Sequence, residues 1–499
     1  MWRKGIGMAR ALILAAAAAL AVACGPTSVE AQPAPAPPPP PPVFATSGNG
    51  DFDAWRDDFA ARAVARGRNP AVLSQLLSGV APDPRVIELD QRQPEFVSPV
   101  WDYVTNRVTE TRIAGGRALR VEMGDTLPAV EARYGVPQGI ILGVWGLESN
   151  YGQAALNWAP QTALATLAFE GRRRTQFEGY LLALVEMVER GLADQAELRS
   201  SWAGAMGQPQ CMPDGYLTTA VDWDNDGHRD IWNNRGDVAA SIGNYLADRG
   251  WRRGEPVFDE VRLPANFDYA LADGTQRSVA DWIDRGVRRM DGANWRAEER
   301  PLQAQLFLPA GARGPALLLH HNFAVIRRYN NSDRYALVVA LLARAFEGRD
   351  GLVQAWPRDI GALNREQILE LQTLLTSLGY NAGTPDGLFG SGTRRAVRGF
   401  QTDQAMPADG FPTLELLERV RTRAGVSSQE ARTPQPLQRA GVRELQRLLN
   451  RLGYGAGSAD GRIGARTRAA IRAFERAQGM EVRGRATDIV LEAARAAAA

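Results

Sequence analysis

The amino-acid sequence predicts a mainly α-helical (α+β) protein, in which a large domain with a small β insertion is followed by two copies of a small helical module. Helix-starting signals and apolar residues at helical spacing recur from Asp51 to about Gly348. Between Arg253 and Asn322 this spacing weakens, and the stretch AQLFLPAGARGPALLLH has the pattern of a β-hairpin with Gly and Pro at its turn. Beyond residue 360 two stretches of the chain resemble each other.

Several short helices are expected in the large domain, residues 51–350. Their start signals are a capping side chain followed by an apolar stretch, often with proline at the first helical position: Asn69 with Pro70, Ser98 with Pro99, and Asp125. The stretch YALVVALLARAFEG predicts a further helix that ends at Gly348.

The repeat covers residues 371–401 and 445–475, which align without a gap. Matching pairs include Leu371 and Leu445, Gly379 and Gly453, Asp386 and Asp460, and Phe400 and Phe474. Each copy predicts a helix, an Asp-Gly turn and a second helix with an apolar stripe. We therefore expect module 1 at residues 363–422 and module 2 at residues 437–496, joined by a linker at residues 423–436.

The composition excludes one class of partner. Hydrophobic residues make up 45% and charged residues 23% of the 499 residues, as in globular proteins. The net charge of +2 is spread along the chain without basic blocks, so nucleic acid is not an expected partner.

The first residues predict export. The apolar stretch ALILAAAAALAVA follows the positively charged residues Arg3, Lys4 and Arg10 and is shorter than a membrane-spanning helix requires. The following AVACG resembles the lipobox of bacterial lipoproteins, with residues 1–24 as signal and lipobox and Cys24 as the lipidated residue; Gly25 without a following aspartate implies sorting to the outer membrane. A plainly cleaved secretory signal is the alternative. Residues 25–50 are rich in proline and predict an extended tether, so we expect a periplasmic protein anchored by lipid to the outer membrane.

The stretch GIILGVWGLESNYGQ, residues 139–153, places one carboxylate among apolar residues. Ile140, Val144 and Glu148 are spaced by four, so on a helix the carboxylate shares their apolar face. A poorly hydrated carboxyl group has a raised pKa, which suits a general acid at neutral pH. Spacing alone leaves open a core glutamate that is satisfied by a buried hydrogen bond.

The stretch SWAGAMGQPQCMPDGY, residues 201–216, is rich in small residues and contains Ser201 and Gln210. It predicts a close-packed cleft wall that offers hydrogen-bond donors to a polar ligand. Cys211 lies beside Gln210, and a thiol nucleophile would need an activating base. The chain has only three histidines, so we expect Cys211 to be a small buried hydrophobic residue.

The stretch DWDNDGHRDIWN resembles an EF-hand loop. Its oxygen donors fall at calcium-binding positions of that loop: Asp222, Asp224 and Asp226, the backbone carbonyl of His228, and Asp230. Asn233 replaces the usual glutamate, so Asp237 on a longer loop is the candidate for that ligand. We expect a structural Ca²⁺ beside the cleft and no organic cofactor; the alternative is an acidic turn without a metal.

Four stretches carry a family resemblance: GVWGLESNYG, SWAGAMGQPQCMP, VDWDNDGHRDIWN and NFAVIRRYNNSDRYALVVALLA. They occur in the order seen in the membrane-bound lytic transglycosylase B family, which implies a lysozyme-like catalytic domain over about residues 51–348. The modules resemble the small helical peptidoglycan-binding domain, and DGLFGSGTRRAVRGFQ in module 1 is the better match. In module 2 Glu475 replaces Gln401, so a binding role and a structural role are both open.

The resemblance implies that Glu148 is the single catalytic acid and base. It also implies that other cleft residues contact the sugar: Tyr103, Ser201, Gln210, Tyr245, Tyr329 and Asn330. A lytic transglycosylase is a lyase of cell wall turnover that cleaves the β-1,4 bond between MurNAc and GlcNAc of peptidoglycan. The MurNAc C6 hydroxyl attacks C1, so a 1,6-anhydroMurNAc end forms and no water is consumed. Cys211 stands where the family usually has phenylalanine.

Three other functions remain as alternatives. A hydrolytic muramidase would share the fold, although most glycosidases use two carboxylates and the sequence offers no convincing second one. A non-catalytic peptidoglycan-binding lipoprotein would have no need of Glu148 on an apolar face. A calcium sensor is disfavoured because the acidic loop occurs once, between cleft motifs.

Overall fold

The computed structural model describes residues 40–91, 99–193, 195–349, 351–361, 363–426, 436–478, 480 and 482–498. Cys24 and the apolar N-terminal stretch lie outside these residues. Within them the protein is mainly helical with a small sheet, as the sequence predicts. None of the helices in these ranges combines the length and the apolar character that a membrane crossing requires.

Fourteen helices of the large domain lie in the described ranges. They are α1 (Gly50–Ala65), α2 (Pro70–Leu77), α3 (Pro84–Gln91), α4 (Val100–Thr105), α5 (Glu110–Glu122), α6 (Thr126–Tyr134), α7 (Gln138–Ser149), α8 (Pro160–Glu170), α9 (Arg174–Glu189), α10 (Pro213–Thr219), α11 (Arg235–Asp248), α12 (Val279–Asp284), α13 (His321–Tyr329) and α14 (Asp333–Phe346).

Two apolar cores hold these helices together, apart from α12. The first contains Phe52, Leu73 and other residues of α1, α2, α8, α9 and α10. The second contains Trp145, Phe323 and other residues of α4–α7, α11, α13 and α14. Helix α7 lies inside the second core and is buried on all sides over residues 139–146. The spacing of its apolar residues suggests one buried face, whereas tertiary packing covers the whole helix.

Glycines let α7 and α14 approach each other closely. A Cβ at position 139 would lie 3.1 Å from the Cα of Ala343, and one at position 143 would lie 2.8 Å from the carbonyl oxygen of Val339. The contacts at positions 139 and 343 and then at 143 and 339 mean that the two helices run antiparallel. Continued by one turn, this register brings the end of α7 to the first turn of α14.

The β insertion forms a five-stranded antiparallel sheet. Its strands are β1 (Phe258–Arg262), β2 (Arg277–Ser278), β3 (Arg288–Arg289), β4 (Gln303–Phe307) and β5 (Ala316–Leu319), in the spatial order β2-β4-β5-β1-β3. Strands β4 and β5 are the hairpin that the sequence predicts, and Leu306 lies opposite Leu318. Trp282 and Leu318 belong to a separate apolar core on this sheet.

Each module has three helices among its described residues, one more than its sequence pattern predicts. Module 1 has α15 (Arg365–Ser377), α16 (Ser391–Asp403) and α17 (Leu414–Arg423), and module 2 has α18 (Arg439–Arg451), α19 (Ala465–Ala477) and α20 (Asp488–Ala498). The third helices are short, and their Leu and Val residues are buried against the other two. A helix of this length is marginal on its own, so it depends on that packing.

A buried glutamine holds the Asp-Gly turn in each module. The Gln372 side chain accepts from the backbone N–H of Asp386 and Gly387 at 3.0 and 2.9 Å, and donates to Thr393 at 2.9 Å. In module 2, Gln446 accepts from Gly461 at 2.9 Å and donates to Thr467 at 3.1 Å. The same polar contacts therefore stabilise the turn in both copies.

The helix caps follow the sequence in part. The Asn69 side chain accepts from the Ala71 backbone, as predicted for the start of α2. Asp125 lies at the cap of α6 but makes no side-chain cap hydrogen bond, because its backbone is already helical. The prediction for α4 is wrong by one residue, since Pro99 is the cap and the helix begins at Val100.

Candidate active site

Glu148 lies at the C-terminal end of α7, immediately before a sharp turn. After Ser149, the last residue of the helix, Asn150, Tyr151 and Gly152 all have positive φ, at 49°, 60° and 84°. Residues other than glycine rarely adopt this backbone conformation, and such backbone strain is often found at functional sites. The Ser149 hydroxyl accepts from the Gly152 N–H at 3.0 Å and helps to hold the turn. The chain therefore leaves the helix one residue after the carboxylate.

Glu148 is half-buried and has one side-chain hydrogen-bond partner in the described part of the chain. The Tyr335 hydroxyl donates to Glu148 Oε1 at 2.6 Å. Burial raises the pKa of Glu148 to about 7, and the hydrogen bond from Tyr335 acts in the opposite direction. The carboxyl group is therefore shared between protonated and ionised forms near neutral pH, which is the condition for a group that gives and takes a proton.

Tyr335 is a site residue that the sequence analysis missed. It lies in the first turn of α14 and is 4% exposed, and the charge of Glu148 adds to burial in raising its pKa well above the ordinary value. The register of α7 against α14 brings it to Glu148. Tyr335, Val339 and Ala343 are spaced by four and therefore share one face of α14, the face that packs on the α7 glycines. A tyrosine on that otherwise apolar face is the feature of the sequence that could have identified it.

Two predicted tyrosines, Tyr245 of α11 and Tyr329 of α13, form one wall near the carboxyl group. Their ring centroids are 4.7 Å apart in an edge-to-face arrangement. The Tyr329 hydroxyl donates to the Pro209 carbonyl at 2.6 Å, and the Tyr245 hydroxyl donates to the Arg328 carbonyl at 2.6 Å. Burial raises the pKa of Tyr329 well above its ordinary value, and the charge of Glu148 raises it further.

The predicted cleft wall forms a tight loop that contains both Ser201 and Gln210. The Ser201 N–H donates to the Ala205 carbonyl at 2.8 Å, and the Ser201 hydroxyl accepts from the Ala205 N–H at 3.3 Å. Gln210 has a φ of 54°, and its side-chain amide donates to the Gly207 carbonyl at 3.0 Å. The loop therefore uses the Gln210 N–H₂ group to stabilise itself.

Gln208 is a second residue that the sequence analysis missed, and it links this loop to the helix of Glu148. Its side-chain oxygen accepts from Trp145 Nε1 at 2.9 Å, and its side-chain nitrogen donates to the Trp232 carbonyl at 2.7 Å. A Cβ at position 152 would lie 2.4 Å from that oxygen, so only glycine fits there. The turn after Glu148 and the cleft wall are thus packed against each other.

The remaining predicted contacts lie beside this group. Tyr103 of α4 is half-buried, with the Arg107 guanidinium carbon 3.6 Å from its ring centroid, and its hydroxyl contributes to the raised pKa of Tyr335. Asn330 follows Tyr329 directly and ends α13.

Burial raises the pKa of the Cys211 thiol to about 12, so the thiol stays protonated and is unsuited to nucleophilic chemistry.

The acidic loop brings three of its predicted ligands together. Carboxylate oxygens of Asp222, Asp224 and Asp237 lie within 4.8 Å of one another. Asp237 is fully buried; burial raises its pKa to about 6, and the charges of Asp224 and Asp222 also raise it. Clustered carboxylates of this kind repel one another and suit a hard divalent cation with oxygen ligands. The residues therefore fit a calcium ion.

Two other predicted ligands, Asp226 and Asp230, make hydrogen bonds within the loop. The Asp226 carboxylate accepts from the His228 N–H at 2.8 Å, and the Asp230 carboxylate accepts from the Trp232 N–H at 2.9 Å. Neither carboxylate belongs to the cluster of three found among the described residues. Asp237 also accepts from the N–H groups of Trp223 and Asp230, both at 2.7 Å, so it holds the two ends of the loop.

Comparison with known families divides the chain in two. Residues 51–344 match the family described as Transglycosylase SLT domain. Residues 364–420 and 438–493 each match the family described as Putative peptidoglycan binding domain. The first match covers more than half of the chain.

Individual relatives agree with this division. The membrane-bound lytic murein transglycosylase B of Escherichia coli (strain K12) is 32% identical over 264 residues, which are 51% of this chain and 69% of that protein. The crystal structure of SltB3 from Pseudomonas aeruginosa in complex with NAG-anhNAM-pentapeptide is 43% identical, with a TM-score of 0.71, and covers 75% of this chain and 100% of its own. The Escherichia coli lytic transglycosylase Slt35 in complex with calcium is 27% identical, with a TM-score of 0.51, over 61% of this chain and 96% of its own. The protein thus belongs to the transglycosylase SLT domain family and is a lytic transglycosylase that acts on peptidoglycan.

Proposed function

We propose that Glu148 is the catalytic acid and base of this lytic transglycosylase. The observation that carries the proposal is a half-buried carboxyl group with a pKa of about 7, at the end of a helix in the core, with Tyr335 as its hydrogen-bond partner. A group that must first donate and then accept a proton works best when its pKa is near the working pH.

In the first step the protonated Glu148 donates its proton to the oxygen between MurNAc and GlcNAc. The bond from that oxygen to MurNAc C1 breaks, GlcNAc leaves with a hydroxyl group, and positive charge develops on the MurNAc ring. Glu148 is then a carboxylate, and the Tyr335 hydroxyl stabilises its negative charge at 2.6 Å.

In the second step the Glu148 carboxylate accepts the proton of the MurNAc C6 hydroxyl while that oxygen bonds to C1. The enzyme returns to its protonated form, and the product carries a 1,6-anhydroMurNAc end. A hydrolytic route would use a second carboxylate to activate water or to attack C1.

The other cleft residues would bind and orient the sugar. Tyr103, Tyr245 and Tyr329 offer aromatic faces, on which sugar rings pack well. Ser201, Gln210 and Asn330 offer polar groups near the N-acetyl and hydroxyl groups of the substrate. Such positioning contributes to catalysis because the C6 hydroxyl must reach C1 in the right orientation.

The test is mass spectrometry of the soluble products released from purified peptidoglycan, with Glu148→Gln beside the unmodified protein. We expect anhydro-muropeptides, which are lighter by one water than their hydrated counterparts, and none from the variant. The matched control is Glu110→Gln, an exposed glutamate in the first turn of α5, which should keep full activity. Hydrated reducing ends would indicate a muramidase, and product from Glu148→Gln would refute the role of that residue.

We propose that Asp222, Asp224 and Asp237 hold a structural calcium ion, with the His228 carbonyl and Asp226 as further ligands. The support is the three clustered carboxylates, of which Asp237 is buried, together with the relative that was crystallised with calcium. When bound, the cation would neutralise these charges and stabilise the loop between α10 and α11. The residues of the cleft carry the chemistry.

We also propose that the protein is periplasmic and is anchored to the outer membrane through lipidated Cys24. In this proposal residues 1–24 are the signal and lipobox and residues 25–50 the tether, whose last part does not stay extended, because Val43 and Ala45 donate to Ser74 and Ser78 of the large domain and α1 begins at Gly50. Residues 51–350 are the catalytic domain, and residues 363–422 and 437–496 are the peptidoglycan-binding modules around the linker at 423–436. Wall binding by a tethered chain raises the effective concentration of the enzyme on an insoluble polymer. Labelling with a fatty-acid probe should mark the protein and should fail for Cys24→Ser.

A further inference from the structure

The loop that follows the second helix of module 1, residues 409–411, contacts the large domain. The Asp409 carboxylate is 9% exposed and accepts from the Gln401 side chain at 2.7 Å and from the Phe411 N–H at 2.8 Å, both within the module. Its other oxygen accepts from the backbone N–H of Ala312 at 2.7 Å. Ala312 lies in the turn between β4 and β5 of the large domain.

The large domain is shaped to receive this loop. Gly311 has a φ of 69°, and a Cβ there would lie 2.6 Å from Asp409 Oδ2 and 2.7 Å from the Phe411 Cβ. A glycine is therefore required both by the backbone and by the close approach of module 1. The Arg398 guanidinium of α16 adds a hydrogen bond to the Ala272 carbonyl at 3.1 Å.

The corresponding loop of module 2, residues 483–485, has the same backbone support and different side chains. Gln401 of module 1 accepts from the Gly410 N–H at 2.7 Å, and Glu475 of module 2 accepts from the Gly484 N–H at 2.7 Å. Where module 1 has Asp-Gly-Phe, module 2 has Arg-Gly-Arg. Glu475 thus keeps a role in shaping the loop.

The two arginines of this second loop contact module 1. Arg485 forms an ion pair and hydrogen bond with Glu366 in the first turn of α15, and an Arg483 nitrogen lies 3.9 Å from the same carboxylate. The Arg485 side chain is 68% exposed, whereas Asp409 is almost fully buried. Exposed ion pairs are weak and are screened by salt, so the second contact is far more easily broken than the first.

We propose that this loop is the docking element of each module, and that its side chains select the domain to which the module binds. Asp409 and Phe411 dock module 1 on the β4–β5 turn of the large domain. Arg483 and Arg485 dock module 2 on Glu366 of module 1. The large domain and module 1 then form one rigid unit, and module 2 is attached to it reversibly.

The first contact is tested by hydrogen–deuterium exchange of the full chain, followed at the Ala312 amide. Asp409→Ala should speed exchange there by about tenfold or more, because the amide loses its acceptor. Gly311→Ala, which leaves module 1 untouched, should have the same effect through the clash with Asp409. The control Glu415→Gln, on the exposed face of α17, should change nothing. Equal exchange in all four proteins would overturn the docking of module 1.

The second contact is tested by the distance between spin labels on the two modules, measured with rising salt. The distance should be short at low salt and should lengthen at high salt. Glu366→Arg should lengthen it at low salt, and adding Arg485→Glu should restore the short distance because the charges are exchanged. If neither salt nor Glu366→Arg changes the distance between the labels, the proposed docking of module 2 is wrong. It is also wrong if the distance stays long in the double variant Glu366→Arg, Arg485→Glu.

Discussion

The hydrogen bond from Tyr335 to Glu148 should set the pH range over which the enzyme works. Tyr335→Phe removes the hydroxyl that donates to Glu148 Oε1 at 2.6 Å and keeps the ring, which is 4% exposed. Phenylalanine fills almost the same volume, so the packing of α14 against α7 should persist. The change therefore isolates the hydrogen bond.

The size of the effect follows from the two forms of Glu148. A hydrogen bond to an ionised group contributes about 1.5–3 kcal/mol, and one between neutral groups about 0.5–1.5 kcal/mol. The ionised form of Glu148 therefore loses roughly 1–1.5 kcal/mol more than the protonated form. Since one pH unit corresponds to about 1.4 kcal/mol, the substitution should raise the pKa of Glu148 by about one pH unit from its value of about 7.

The sign of the change is clear in the pH profile of kcat/KM. Glu148 must be protonated to act as the acid, so kcat/KM falls as the pH rises through its pKa. A higher pKa of Glu148 moves this alkaline limb of the profile to higher pH by about one pH unit. The assay is release of anhydro-muropeptides over a range of about pH 5 to 9.

The control is Tyr180→Phe, which removes the hydroxyl of a half-buried tyrosine on α9 that accepts from Gln176. Its profile should match that of the unmodified protein. An alkaline limb of Tyr335→Phe that stays in place, or that moves to lower pH, would refute the assignment of Glu148 as the acid whose charged form Tyr335 stabilises.

Three further predictions concern stability. Gly143→Ala should lower the free energy of unfolding by about 1–2 kcal/mol, as measured by unfolding in urea. The new Cβ would lie 2.8 Å from the Val339 carbonyl oxygen, and this overpacking outweighs the better helix propensity of alanine. The control Gly179→Ala on α9, where a Cβ would have nothing within 4 Å, should instead raise the free energy of unfolding by about 0.5–1 kcal/mol. Calcium should raise the melting temperature and a chelator should reverse this rise, whereas Asp224→Asn should make the melting temperature insensitive to both. A melting curve of the unmodified protein that a chelator does not change would contradict the proposed calcium site. Gln372→Leu should destabilise module 1 by about 1–3 kcal/mol, because the buried N–H of Gly387 loses its hydrogen-bond acceptor. A variant as stable as the unmodified chain in urea would contradict that role.

Local signals in the sequence predicted the elements that depend on near neighbours. The Asn69 cap, the β4–β5 hairpin and the first two helices of each module follow from residues within a few positions of each other. The raised pKa of Glu148 could also be predicted, because spacing alone puts its carboxyl group among apolar residues. The third helix of each module was missed, since a short helix forms only where other helices cover it.

By itself the sequence determined the helical class, the repeat, the glutamate on an apolar helix and the acidic loop, because each is written in residues close together along the chain. Only the tertiary structure decided which side chain meets Glu148. Tyr335 lies far from it in sequence, and their contact depends on how closely the α7 glycines let α14 approach. The same holds for Gln208 beneath the turn and for Asp409 against Ala312. Contacts of this kind are set by the packing of whole elements, which no local pattern of residues records.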